Sequence, residues 1–521
     1  MGRPWANSAP FRGARLEFSW RQVTAICAKL KGERFVPRSE IPEGQESAAK
    51  VEFARDCPLL LFTPGRRHGL DVVSFSGSNH PLVTPFPSEL PSSSLQARMT
   101  NRQHRNKGQE QSRRGALIRF SAKAVSLALV GWVALSGHVV AADQKPLKVF
   151  ILAGQSNMQG HAQVTTFEHI GMDPKTAPML AEMQNADGTP KVCDQVWISS
   201  IGSSEEEKSG LLTAGFGADQ KGPKIGPEFT FGLYMQKLLD EPILVIKTAW
   251  GGKSLNTDFR PPSAGPYVFN ETQLETFQKQ GKDIEAIKAE KAEATGHYYR
   301  LMVDHVEKVL SDIGRVMPGY DSKAGYELAG FVWFQGWNDM VDGSTYPRRD
   351  QPGGYDAYSE VMADFIRDVR KDLSAPKLPF VIGVLGVGGP VEKYDPDQKR
   401  YASIHQGFRD AMAAPAALPE FKGNVSAVLT EKYWDQELTA LRVRENAIKQ
   451  EVKKLLSEGK IEKTEEQATL EKRLADGLSA RDRETLKKGI SNFEFHYLGS
   501  AKILGQIGKA FAEAMAELAK K

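Results

Sequence analysis

Residues 143–521 are predicted to form an α/β domain built on a doubly wound parallel sheet. Three observations lead there. Short apolar runs recur without polar alternation, amphipathic segments of helical period separate them, and residues able to do chemistry follow directly on several of the runs.

The runs are KVFILAG (148–154), PILVIKTA (242–249), AGFVWFQG (329–336), PFVIGVLGV (379–387) and VSAVLT (425–430). Their length and their Val, Ile and Phe content suit strands covered on both faces. Helical segments are expected at 228–240, about 296–313, 355–373 and 402–413. The β-α-β order gives a flavodoxin-like sheet that binds ligands beyond the carboxyl ends of its strands. Pro227 and Glu228 open the first helix, where a missing N–H costs nothing and a carboxylate complements the dipole.

Two stretches look inserted. Residues 270–295 are charged and helical in character. In 436–490, Leu441, Ile448, Val452 and Leu455 recur at helical spacing, a turn follows at Ser457-Glu458-Gly459-Lys460, and Leu470, Leu474 and Leu478 come next. The pattern predicts an inserted antiparallel helical hairpin, a solvated element that a protein partner or a substrate could meet.

The chain of 521 residues is 40% hydrophobic and 25% charged, with a net charge of +4 spread along its length. Nothing in that balance calls for nucleic acid. The three cysteines are Cys27, Cys57 and Cys193; none has a metal-ligand neighbour at useful spacing, and no metal or cofactor is expected.

A secretory signal is expected within 99–142. Arg113, Arg114, Arg119 and Lys123 precede the apolar run from Ala124 to Leu135, and the small-residue stretch VVAA at 139–142 follows. The run is too short to span a bilayer comfortably. The mature protein would begin near Asp143, secreted or periplasmic and free of the membrane after cleavage. Residues 1–98 read as a disordered extension or as sequence ahead of a true start at Met99.

Four motifs carry the chemistry. AGQSNMQG (153–160) puts Ser156 just beyond the first run, where a hydroxyl can be exposed and its own N–H turned to a ligand. KTAWGGKSL (247–255) follows the second, and Gly252 offers a backbone N–H with no Cβ in the way. WFQGWND (333–339) follows the third and supplies two amide side chains, Gln335 and Asn338. FEFHYLGSAKILGQ (493–506) carries His496 ahead of the last amphipathic helix.

In this order the motifs resemble the four blocks of the SGNH hydrolases. The wording GQSNM, GPE, WGG, QG and a late His is similar to the branch holding sialate O-acetylesterases and the acetylxylan esterases of carbohydrate esterase family six. The similarity covers about 147–260, 296–435 and 491–518. It implies a three-layer α/β/α fold and an esterase that removes acetyl groups from carbohydrates without a cofactor. It makes Ser156 the nucleophile and His496 its base, with the N–H groups of Ser156 and Gly252 and the side chain of Asn338, shared with or replaced by Gln335, as the oxyanion hole. The wider clan has Asp three residues before this His, where Phe493 stands here. Glu494 is the candidate acid in its place, with a dyad or an acid such as Asp435 as the alternatives. Trp250, Trp333, Trp337 and Tyr497 lie beside the motifs, as sugar-stacking surfaces or as wall packing.

Overall fold

The computed structural model describes residues 145–219 and 222–520, with the backbone of one strand pair nearer the N-terminus. The chain divides into two units, Met1–Phe120 and Ser121–Lys521. In the first, Phe62–Pro64 pairs antiparallel with Leu70–Val72. The expectations for 1–98, that pair aside, and for the signal region lie outside the described residues.

The second unit is a seven-stranded sheet between two layers of helices. In chain order the strands are β1 (Leu147–Gly154), β2 (Cys193–Gly202), β3 (Lys208–Leu212), β4 (Ile243–Ala249), β5 (Tyr326–Phe334), β6 (Phe380–Val384) and β7 (Val425–Leu429). Their spatial order is β7-β6-β5-β1-β4-β2-β3, parallel throughout except for β3, which runs antiparallel on the edge beside β2. The five apolar runs became β1, β4, β5, β6 and β7. The sheet's other two strands escaped that reading because Asp194, Gln195, Ser199 and Ser200 interrupt β2, and β3 begins with Lys208 and Ser209.

The helices that cover the sheet are α1 (Glu228–Leu239), α2 (His297–Ser311), α3 (Asp356–Asp372), α4 (Ala402–Ala413) and, last in the chain, Ala501–Ala519. The last helix buries Ile503, Leu504, Ile507, Phe511, Met515 and Leu518, spaced one turn apart or adjacent on one face, and packs against α1. Its Phe511 meets Phe334, whereas Phe331 and Trp333, pointing to the other side of β5, meet Phe365 of α3. The alternation along β5 thus feeds both layers of the core.

Residues 270–295 form two short helices, Glu271–Lys279 and Ile284–Ala294, the first opened by a reciprocal capping box from Asn270 and Gln273. The segment 436–490 contains the expected pair, Gln436–Ser457 and Glu466–Gly477, and adds a third helix, Ala480–Gly489. Leu478 ends the second helix, and Ser479 caps the third. Leu441, Leu478 and Leu486 make a small core of their own, so the element is held from within.

Two features level the sheet's working edge. Gly154 of β1 pairs with Ala249 of β4 and Phe334 of β5, and Gly202 of β2 also pairs with Ala249. Four neighbouring strands therefore end together, at the place where the chain crosses from one side of β1 to the other. Gly154 is required there: a Cβ would stand 2.1 Å from the Phe334 carbonyl oxygen.

Candidate active site

Beyond that edge lies a cavity of about 460 Å³, lined by Gln155, Ser156, His161, Gly252, Asn338 and His496 among others. Residues 156 and 496, far apart in the sequence, line the same cavity.

Ser156 opens a single helical turn, Ser156–Gln159, directly after β1 and is almost wholly buried. Gly252 has φ +73°, and the space where a Cβ would stand is open, so the cavity reaches its backbone. The loops between are tied by side chains. Gln155 Oε1 accepts from Gln335 Nε2 at 3.1 Å and from the Gly336 N–H at 3.1 Å, and Gln155 Nε2 donates to Asn338 Oδ1 at 3.0 Å. With its oxygen engaged, Asn338 keeps its Nδ2 hydrogens for the cavity it lines.

Gln335 is placed differently from Asn338. It is buried, and its Nε2 donates to Gln155 Oε1, to the Lys253 carbonyl at 3.0 Å and to Asp339 Oδ2 at 2.6 Å, while its Oε1 accepts from Tyr358 at 3.2 Å. Three acceptors share its two hydrogens, so Gln335 fastens loops and has no donor to spare for an oxyanion.

Asp339, which the sequence reading passed over, is the second fastener. Its carboxylate accepts from the Leu255 N–H at 2.8 Å, the Asn256 N–H at 3.0 Å, Gln335 and the Tyr346 hydroxyl. Burial pushes its pKa up to about 6, against the pull of these donors. Asp339 thereby locks the WGG loop to the QGWND loop. Glu228 opens α1 as expected, and its carboxylate turns inward to the Lys247 ammonium at 2.8 Å and the Gly226 N–H at 2.9 Å. Lys247 also donates to the Gln159 carbonyl at 2.8 Å, which ties this buried pair to the cavity floor.

His496 sits in an irregular turn, Glu494–Gly499. Tyr497 and Leu498 adopt φ +53° and +61°, costly for residues with side chains, and both are buried. The turn is held by the Tyr497 hydroxyl, which accepts from the Gly386 N–H at 2.8 Å and donates to Thr430 Oγ1 at 2.7 Å, whose own proton goes to the Val384 carbonyl. Chain reversal is closed by the Ser491 and Asn492 N–H groups, which both donate to the Leu498 carbonyl.

The candidate acid does not reach the imidazole. Glu494 is half exposed and faces Arg442 of the inserted helices at 3.6 Å, and Asp435 caps the helix Gln436–Ser457 and pairs with Lys502 at 2.9 Å. His496 Nδ1 instead meets Asn492 Oδ1 at 2.9 Å. The ring lies flat on that of His161, with centroids 3.9 Å apart and planes 1° from parallel. Burial, and then the nearby Lys224 charge, lower His496 to a pKa of about 4. His161 falls to about 3 through burial, then His496, Lys224 and Lys247. The His496 imidazole is accordingly neutral at ordinary pH, the form a general base needs.

Of the four flagged aromatics only Trp337 lines the cavity; Trp250, Trp333 and Tyr497 are buried in the walls. Phe495, which was not singled out, lines it beside Trp337, with ring centroids 5.6 Å apart. Among the described residues no group of three or more His, Cys, Asp or Glu side chains is arranged to hold a metal ion.

A family model described as SASA, "carbohydrate esterase, sialic acid-specific acetylesterase", matches residues 146–406, half of the chain. The chain belongs to this family. It is thus a carboxylic ester hydrolase of the carbohydrate acetylesterase kind. The matched SASA region contains Ser156, Gly252, Gln335 and Asn338 and stops before the inserted helices of 436–490 and His496. Two solved structures are similar to this chain. One is a protein from Arabidopsis thaliana, 19% identical, covering 55% of this chain and 86% of its own, with a TM-score of 0.29. The other is a carbohydrate acetylesterase from Xanthomonas citri, 14% identical, covering 54% of this chain and 49% of its own, with a TM-score of 0.28. At these scores neither likeness bears on mechanism. No curated protein matches.

Proposed function

We propose that this SASA-family esterase is a secreted serine acetylesterase acting on acetylated carbohydrate, with Ser156 as nucleophile and His496 as its base. The observation that carries this reading is the convergence of Ser156, Gly252, Asn338 and His496 on one cavity.

Ser156 Oγ attacks the acetyl carbonyl carbon while its proton passes to His496 Nε2. The oxyanion is received by the N–H groups of Ser156 and Gly252 and by Asn338 Nδ2. Collapse breaks the bond to the sugar oxygen, which takes the proton back from His496, and leaves Ser156 acetylated. Water, deprotonated by the same imidazole, then releases acetate. Trp337 and Phe495 supply flat apolar surface beside this point for a sugar ring. Export follows from the signal-like segment within 99–142, and the inserted helices at 436–490 are the surface on which a protein partner would act.

Turnover of 4-nitrophenyl acetate tests the core of the proposal. Ser156→Ala and His496→Ala should each lose several orders of magnitude, and the double variant should be little worse than either, since members of such a unit are strongly non-additive. A folded Ser156→Ala protein with near-full turnover overturns the reading. Acetylated xylan compared with O-acetyl sialic acid then identifies the sugar.

A further inference from the structure

The Ser156–His496 reading leaves one atom unaccounted for: what holds the far nitrogen of the base. In an acyl-transfer site of this type a carboxylate ordinarily orients the imidazole and stabilises the imidazolium. Here both carboxylates that the sequence offered are engaged elsewhere, Glu494 with Arg442 and Asp435 with Lys502 and its own helix.

We propose that Asn492 is the positioning residue for His496, a neutral amide standing where a charged acid would. This rests on the serine-esterase reading and deepens it. The orientation of the Asn492 amide is fixed by the main chain. The Phe493 N–H can only donate, and it meets Asn492 Oδ1 at 2.8 Å. The same oxygen lies 2.9 Å from His496 Nδ1, so that nitrogen must carry the proton. The tautomer leaves Nε2 with its lone pair free, as a base toward Ser156 requires. Asn492 Nδ2 points the other way, to His161 Nδ1 at 3.5 Å, and the two stacked rings are bridged by one amide.

The charges around His496 decide what a neutral orienter does. Lys224 and the Lys247 ammonium beneath the floor are positive, His161 lies against the ring, and the Asp219 carboxylate in the cavity wall is paired with Lys208. On its own turn the only carboxylate is Glu494, paired with Arg442. With no carboxylate at Nδ1, no negative charge beside the ring favours a second proton on it. The base stays neutral into acid solution, and the acid limb of the kcat/KM profile falls near pH 4, well below the ordinary histidine value.

The test uses Asn492→Ala and Asn492→Asp in the full chain, with Ser156→Ala as control. Asn492→Ala removes the acceptor; kcat should fall about a hundredfold with KM little changed, the scale expected when a reacting group is mispositioned. The side-chain nitrogen NMR signals of His496 should shift from the Nδ1–H form towards a tautomer mixture. Asn492→Asp keeps an acceptor and adds a charge: kcat on the alkaline plateau should return to within about tenfold of the parent, and the acid limb should rise by about one pH unit or more. If Asn492→Ala folds poorly, the limb shift in Asn492→Asp still decides. An unmoved limb in Asn492→Asp, or an Asn492→Ala enzyme with parental kcat and His496 tautomer, overturns the role of Asn492. Full activity in Ser156→Ala would instead overturn the serine reading beneath it.

Discussion

The two halves of the site are built by different means. Ser156, Gly252 and Asn338 hang from three neighbouring parallel strands whose ends are level, and Gln155, Gln335 and Asp339 lace the loops together. His496 belongs to no strand. Its turn follows an insertion, includes two residues in the left-handed region, and is anchored by contacts to residues more than sixty positions away, Thr430 and Gly386. The first half inherits its geometry from sheet register. The second must assemble it from tertiary contacts, and the strain it carries is stable only because those contacts over-determine it.

Removing Asp339 strikes the laced half hardest. Asp339→Ala leaves two backbone N–H groups and the Tyr346 hydroxyl without their acceptor and removes the tie between Gln335 and the WGG loop that runs through Asp339. Both loops bearing the proposed oxyanion donors should relax, and kcat on 4-nitrophenyl acetate should drop at least about a hundredfold, the loss typical of one such donor. A variant of parental rate would mean that sheet register alone suffices.

A smaller effect is expected from Tyr497→Phe in the strained half. It leaves the buried Gly386 N–H without its acceptor, a cost of about 1–3 kcal/mol visible in thermal or urea unfolding. Activity should fall by less than about tenfold, because the backbone closure at Leu498 remains. Loss of activity without loss of stability would show that the hydroxyl acts on the imidazole geometry directly.

The smallest effect separates the two acid readings. Glu494→Gln breaks only a half-exposed contact with Arg442, so turnover on small acetates should stay within about twofold and stability should be nearly unchanged. A loss of tenfold or more would return the carboxylate to the mechanism.

The same contrast explains what could be read beforehand. Five apolar runs located five strands, and three motifs at strand ends located Ser156, Gly252 and Asn338 on the cavity, because buried parallel strands leave a composition signal and their ends border the cavity. β2 and β3 were hidden by polar residues toward the edge of the sheet. Glu494 is the candidate acid in the sequence because it stands two residues before the histidine, in the manner of an Asp-x-His arrangement. The chain is instead coiled at 494–499, which turns Glu494 outward and brings Asn492, four before the histidine, to the ring. Gln335 and Asn338 look alike in sequence. Only the packing decides which of them faces the cavity and which is spent on its neighbours.

The closure at the base of the histidine turn has a consequence for how such a chain can change length. The Ser491 and Asn492 N–H groups on one side meet the Leu498 carbonyl on the other, and Ser491 Oγ donates to the Gly499 carbonyl at 2.7 Å. The Gln163 N–H, a few residues beyond the Ser156 turn, donates to the same Ser491 hydroxyl at 3.1 Å. The turn is thereby clamped at its own neck, immediately after the inserted helices end at Gly489. Upstream, Asp435 caps the first of those helices and is itself held by Lys502. The first helix is also seated on the main core through Leu438, and the third through the Lys488–Glu168 pair. The connection 458–465 between the first two helices is free of both anchors, and residues can be added there at a chain-entropy cost that grows only logarithmically with their number, without moving the neck that places His496.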